Sequence, residues 1–313
     1  MSKTYPSDFN DPTIWEKVPI KDWSHFETEC EKLQAPADRQ FIFRGQSSSE
    51  YNLTTSLLRS FDSNSNVELE AYEDSMILEF EKFYYHHTNI RFPKPKTKIF
   101  PDIREYKLNL LSVMQHYGAP TRLQDWTYSP YIALFFAMDG ANKDTPFCVY
   151  ALDINLIEML YYIKYEEAFK ANYSDSPFKD LKDFTFDDVD GHIPFVYHWE
   201  PSLANERLRV QQGLFLVPSV AGVSITWILS RLKEELPHIS TIGKKFIFNP
   251  DQMSSLWKKM NFLNLTHESI YPGMEGFCKA LKISQYDNHR VEKVLSNRHD
   301  DPVLQWILER HTK

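Results

Sequence analysis

An α+β fold, with mixed or antiparallel sheets forming a cleft flanked by helices, is what this sequence predicts. Strand-like and helix-like segments mix without a regular β-α-β rhythm, which argues against a doubly wound sheet. Apolar runs of strand length, such as 146–153, stand beside longer stretches with apolar residues at helical spacing. The 313 residues also include only nine glycines. An average composition would bring about twenty-two. No G-x-G-x-x-G and no G-x-x-x-x-G-K-[ST] occurs, so the Gly-rich cradles of dinucleotide and nucleoside triphosphate folds are absent.

The elements follow in order. Asp22 to Leu33 carries Trp23, Phe26, Cys30 and Leu33 at helical spacing and predicts a short amphipathic helix. Gln40 to Gln46 alternates and predicts a strand ending at Gly45, followed by the polar turn Ser47–Ser49. Asn66 to His87 predicts a long helix with Leu69, Tyr72, Met76, Phe80 and Phe83 on one side. Three prolines make 92–101 a loop. Helix resumes over Arg104–Tyr117 and stops at Gly118. Ser129-Pro130 reads as an N-cap with Pro at the first helical position, opening the apolar helix Tyr131–Met138.

Pro146–Asp153 predicts a buried strand containing Cys148, and 161–191, rich in Tyr, Phe, Asp and Lys, reads as an insertion. His192–Trp199 and Gly213–Val217 predict strands, with 202–212 between them open to either helix or extended chain. Helices near Ser224–Leu236 and Pro250–Phe262 flank a strand over Ile239–Phe248. Val303, Leu304 and Ile307 predict a short C-terminal helix.

Composition excludes several functions. Thirty-five Lys and Arg against 43 Asp and Glu leave a net charge of −8, a poor basis for non-specific nucleic-acid binding. The longest strongly apolar run, Tyr131–Met138, is too short to span a bilayer, and the first residues lack an apolar leader. Three scattered cysteines make neither a disulfide framework nor a zinc pair. A cytoplasmic, reduced protein without membrane contact is expected. No metal site is expected either: His86 and His87 are adjacent on a helix, and His192 and His198 have no carboxylate at ligand spacing.

Three constellations carry chemistry. In Phe43-Arg44-Gly45-Gln46, an Arg at a strand end offers a fork suited to phosphate or carboxylate, and the glycine would let a ligand approach the main chain. The stretch 115–127 brings Gln115, His116, Thr121, Arg122, Asp125, Trp126 and Thr127 to a junction between two apolar helices. Such polar groups must be satisfied or used, and a buried Arg122–Asp125 pair fixing the loop is the purely structural alternative. In 205–215, Arg207 and Gln211 share a face whether the segment is helical or extended.

These residues resemble the FRG domain family. The resemblance rests on Phe43-Arg44-Gly45-Gln46, on LTTSLLR at 53–59, on QHYGAPTRLQDWTYSPYIALFFA at 115–137, on Arg207 with QQGLF at 211–215, and on IYPGMEGF at 270–277. Gln124 departs from the second Leu usual in the central run, and Glu275 stands where Asp is common. The resemblance implies an FRG domain over 38–283 with an insertion near 161–191. A helical extension, 1–37, would precede it and a helical tail, 284–313, would follow.

The family occurs in bacteria and phages and is distantly similar to ADP-ribosyltransferases, which implies an ADP-ribosyltransferase-like core. Arg44 would match their early-strand Arg, and Asp125-Trp126-Thr127 with Ala133–Ala137 their middle motif. Their late Glu-x-Glu has no counterpart in 205–212. Asp125 or Glu206 would then stabilise charge, and Gln211 or Gln212 could replace the missing acid in position only. Arg44 and Arg122 would hold phosphates and Trp126 would shape the wall. Gly45, Gln46, Gln115, His116, Thr121, Thr127 and Arg207 complete the expected binding residues.

The implied activity is ADP-ribosyl transfer or NAD hydrolysis in a toxin or anti-phage setting. NAD would be a substrate, no cofactor would be permanently bound, and a protein target or regulator would be the partner. The alternative is a module that binds a nucleotide or protein without chemistry.

Overall fold

The computed structural model describes residues 14–34, 38–61, 68–88, 91–92, 94–95, 100–161, 194–201, 206–234, 239–281 and 302. The chain divides into two compact units, Met1–Pro250 and Asp251–Lys313. Almost all of the expected insertion at 161–191, and the expected C-terminal helix around Val303–Ile307, lie outside the described residues.

In the first unit seven strands join in one sheet. They are β1 (Trp15–Pro19), β2 (Phe41–Gln46), β3 (Gln124–Thr127), β4 (Phe147–Asp153), β5 (Val196–Trp199), β6 (Gly213–Pro218) and β7 (Gly243–Phe248), in the order β1-β7-β4-β2-β3-β6-β5. β1 runs parallel to β7 and every other neighbouring pair is antiparallel, so the sheet is mixed and the fold α+β. The described strands thus form one sheet where a cleft between sheets was expected. The join between its two halves is narrow: β2 and β3 share only the pair Phe43↔Thr127. β1 joins this sheet beside β7, and the helix Trp23–Gln34 follows it in the same unit.

The helices are α1 (Trp23–Gln34), α2 (Ser56–Ser60), α3 (Leu69–Phe83), α4 (Phe100–His116), α5 (Pro130–Asp139), α6 (described over 154–161), α7 (Glu206–Val210) and α8 (Ile225–Glu234). Local chemistry explains several boundaries. The Ser129 side chain accepts from the Ile132 N–H with Pro130 following, as the sequence predicts. Thr55 caps α2 by accepting from the Leu58 N–H, and Asp22 accepts from the His25 N–H at the start of α1. Gly118 turns the chain out of α4 at φ +91. Within the open segment 202–212, the described residues form α7 over Glu206–Val210, with Gln212 at φ 46 leading into β6.

α1 and α5 share one side of the sheet. The Phe26 ring meets Phe246, Phe248 and Tyr131, and α5 is buried nearly all round, as a helix without a polar face must be. Ile42, Trp126, Tyr150 and Leu152 belong instead to a core with Leu111 and Met114 of α4 and Ile228 and Leu229 of α8. Burial pushes the thiols of Cys30 and Cys148 up to about 12. Among the described residues no helix is long and apolar enough to cross a membrane.

Gly45 sits where β2 meets α5. A Cβ there would lie 1.9 Å from the Ala133 carbonyl oxygen and 2.6 Å from the Ala137 nitrogen. The close approach that the sequence assigned to a ligand is taken by this helix. Both obstacles are backbone, so they cannot swing away. Gly45→Ala is expected to destabilise the protein by about 1–3 kcal/mol or more through overpacking. Chemical denaturation checks it, and a variant as stable as the parent would refute the contact.

In the second unit α9 (Met253–Phe262), α10 (His267–Ile270) and α11 (Met274–Ala280) follow one another. Thr266 and Ser269 form a capping box at α10, and Lys279 lies over the Tyr271 ring with Nζ 3.4 Å from its centre.

Candidate functional site

Beyond Phe43↔Thr127 the strands β2 and β3 part. Arg44 Nη1 donates to the Asp125 carbonyl oxygen at 2.5 Å, taking an acceptor that a continuing ladder would have used. A pocket of about 170 Å³ opens there. Four segments wall it: Arg44 from β2, Thr54 to Ser56 with Arg59 around α2, Gln115, Gly118 and Ala119 at the end of α4, and Leu123 to Asp125 entering β3.

Hydrogen bonds fix these walls to one another. The Leu57 N–H and the Ser56 hydroxyl both donate to the Thr121 carbonyl at 3.1 Å, and the Thr121 N–H donates to Ser56 Oγ at 3.0 Å. The buried Thr121 hydroxyl donates to Gln115 Oε1 and accepts from the Leu123 N–H. Gln115 Nε2 in turn donates to Asp125 Oδ2 at 2.9 Å. The amide is therefore oriented at both ends, and the carboxylate is held at the pocket.

Arg44 pays most for its place. Burial pulls its guanidinium down from the ordinary arginine range; the Asp125 charge opposes this and Arg59 adds to it. Arg44 Nε is buried without a hydrogen-bond partner. A buried donor left unpaired is costly.

The structure separates the expected residues into three places. Arg44, Gln115 and Asp125 line the pocket together. Thr121 and Trp126 are buried and are not among the lining residues; the Trp126 indole donates to Gln124 Oε1 at 2.9 Å and belongs to the core. Gln46 and His116 are not among the lining residues, although Gln46 Nε2 reaches the Asn52 carbonyl in the following loop.

Glu206, Arg207, Gln211 and Gln212 are likewise not among the lining residues. They belong to α7 and the turn into β6, which meets β3 at Thr127↔Gly213; the Thr127 hydroxyl donates to the Gln211 carbonyl at 2.7 Å. Asp125 is two residues further along β3, roughly 7 Å at the rise of a strand. Glu206 is exposed on the first turn of α7.

Arg122 is the clearest departure. It does not pair with Asp125. Its Nη2 and Nε lie 2.5 and 2.6 Å from Glu73 Oε2 on α3, and Nη1 donates to the Ser219 carbonyl at 3.0 Å. Burial pulls this guanidinium down, but the Glu73 charge and hydrogen bond outweigh it and leave the pKa raised. Arg122 therefore ties α3 and the end of β6 to the loop before β3, and its donors are directed away from the pocket's acid.

Arg59, Thr54 and Thr55 line the pocket, although 53–59 entered only as part of the resemblance, with no binding role expected of these residues. A usable signal was present. Thr55 before SLLR has the form of an N-cap, and an Arg four residues later returns over the cap; Arg59 Nη1 does donate to the Thr54 carbonyl.

Among the described residues no group of three or more His, Cys, Asp or Glu could hold a metal ion. The family model of the FRG domain matches residues 39–145, about a third of the chain. Every pocket-lining residue falls inside that span, and Arg207, the QQGLF stretch and 270–277 fall beyond it. No curated protein and no solved structure matches the chain.

Proposed function

We propose, from the premise that residues 39–145 are an FRG domain, that the protein binds a NAD-like nucleotide at the Arg44–Asp125 pocket and cleaves it by ADP-ribosyl chemistry. The observation that carries this reading is the meeting of Arg44, Gln115 and Asp125 around one opening. At about 170 Å³ it is below the range of roughly 300–1,000 Å³ usual for drug-sized ligands. It suits a phosphate with its sugar, with the remainder of the nucleotide outside.

In the proposed reaction the bond between ribose C1′ and the nicotinamide nitrogen breaks. Its electron pair goes to the nicotinamide, which leaves neutral, and positive charge develops on the ribose. Water or a target side chain adds to C1′ and releases a proton to solvent. Asp125, oriented by Gln115, is the acid suited to stabilise the developing cation. The distant resemblance to ADP-ribosyltransferases suggests the reaction class but leaves their late acid unmatched, and in this proposal Asp125 serves in its place.

The test is incubation of the pure full-length protein with NAD and measurement of nicotinamide release. Release above a heat-inactivated control is expected. That Glu206 is not among the pocket-lining residues favours a second reading, nucleotide binding without chemistry. Folded protein that binds NAD but releases no nicotinamide, with or without cell extract, would establish that second reading.

A further inference from the structure

We infer that Arg44 and Arg59 form a seat for one phosphate group, so that the pocket takes its ligand phosphate first. The inference rests on the nucleotide reading above and extends it to Arg59, the last residue of the LTTSLLR stretch, to which no role was assigned. Both arginines line the same opening, and among the described residues neither has a carboxylate within ion-pair distance. Each has spent a donor on a backbone carbonyl, Arg44 on Asp125 and Arg59 on Thr54, and those bonds hold the two forks in place.

The Arg44 guanidinium lines the opening, and its buried Nε has no hydrogen-bond partner among the described residues. The Thr54 hydroxyl, which makes no hydrogen bond among the described residues, is another polar group lining the opening. Two guanidiniums against the single Asp125 carboxylate leave the opening net positive, and their mutual repulsion is relieved by an anion between them. A phosphate supplies more acceptor oxygens than a carboxylate and matches guanidinium forks.

The test uses the full chain and simple anions. Titration with sodium pyrophosphate and with inorganic phosphate is compared with acetate at equal ionic strength, followed by calorimetry and by melting temperature. Binding and a raised melting temperature are expected with both phosphates and not with acetate. Arg59 is exposed, so Arg59→Gln should fold as the parent does, which its ligand-free melt verifies. It should bind pyrophosphate about tenfold or more weakly, the effect of losing a charge-assisted bond. Arg231→Gln is the control: Arg231 is an exposed arginine already paired with Glu234, and its loss should leave the affinity unchanged.

Equal binding of acetate, no binding of either phosphate, or an Arg59→Gln affinity equal to the parent's would each overturn the seat. The titration needs no turnover. Pyrophosphate binding without nicotinamide release would therefore refute the catalytic reading and keep the seat, whereas release indifferent to Arg59→Gln would refute the seat alone.

Discussion

Glu73→Ala and Arg122→Ala are each expected to lower the stability of the protein by about 3–5 kcal/mol. The Glu73 carboxylate is 1% exposed and the Arg122 side chain 15%, and Glu73 accepts from the Arg122 backbone N–H as well as from its guanidinium. Removing either partner strands the other charge in a site built for a pair. Among the described residues, the guanidinium in Glu73→Ala keeps the Ser219 carbonyl alone, and the carboxylate in Arg122→Ala keeps the backbone N–H alone. The double substitution Glu73→Leu with Arg122→Met should cost far less than either single alanine change, because it leaves no unpaired charge. Urea denaturation of the four proteins measures this. A single alanine loss within the roughly 0–1 kcal/mol of a surface pair would show the pair to be solvated.

Asp125→Asn is expected to reduce nicotinamide release by about 10²–10³, the usual scale for losing one preorganised electrostatic group. The substitution keeps an oxygen for the Gln115 amide and keeps the backbone carbonyl that holds Arg44, so geometry and fold should persist while the charge is lost. Release that survives in Asp125→Asn but disappears in Glu206→Gln would move the acid to α7. Gln115→Ala should act in the same direction with a smaller effect, since Gln115 positions the carboxylate without supplying charge.

These two variants separate residues that the sequence presents as neighbours. Arg122 and Asp125 stand three apart in one motif, and that proximity made a pair between them the natural structural expectation. The folded chain turns one toward α3 and the other toward the pocket. The partner of Arg122 was visible in one respect. Glu73 lies four residues after Leu69, on the face of α3 that is buried, and an acid on such a face needs a cation. Which cation it finds depends on contacts between distant segments, and no local pattern specifies that.

Much of the fold was legible because its signals are short-range. Ser129-Pro130 starts α5, Gly118 ends α4, and the apolar run at 147–153 forms the fully buried strand β4, because capping, backbone freedom and side-chain burial act within a few residues. β1 and β3 were not legible. WEKVP has too few apolar positions to alternate, and QDWT is short and polar; both are strands because β7, and β6 with β2, offer them backbone partners. The site divides in the same way. Residue chemistry alone identified Arg44, Gln115 and Asp125 as groups that require partners. Long-range pairing added Arg59 and Thr54 to them, withdrew Arg122 into a buried ion pair, and filled the space beside Gly45 with a helix, because a guanidinium, a hydroxyl or a missing side chain takes its role from whichever distant backbone the fold brings against it.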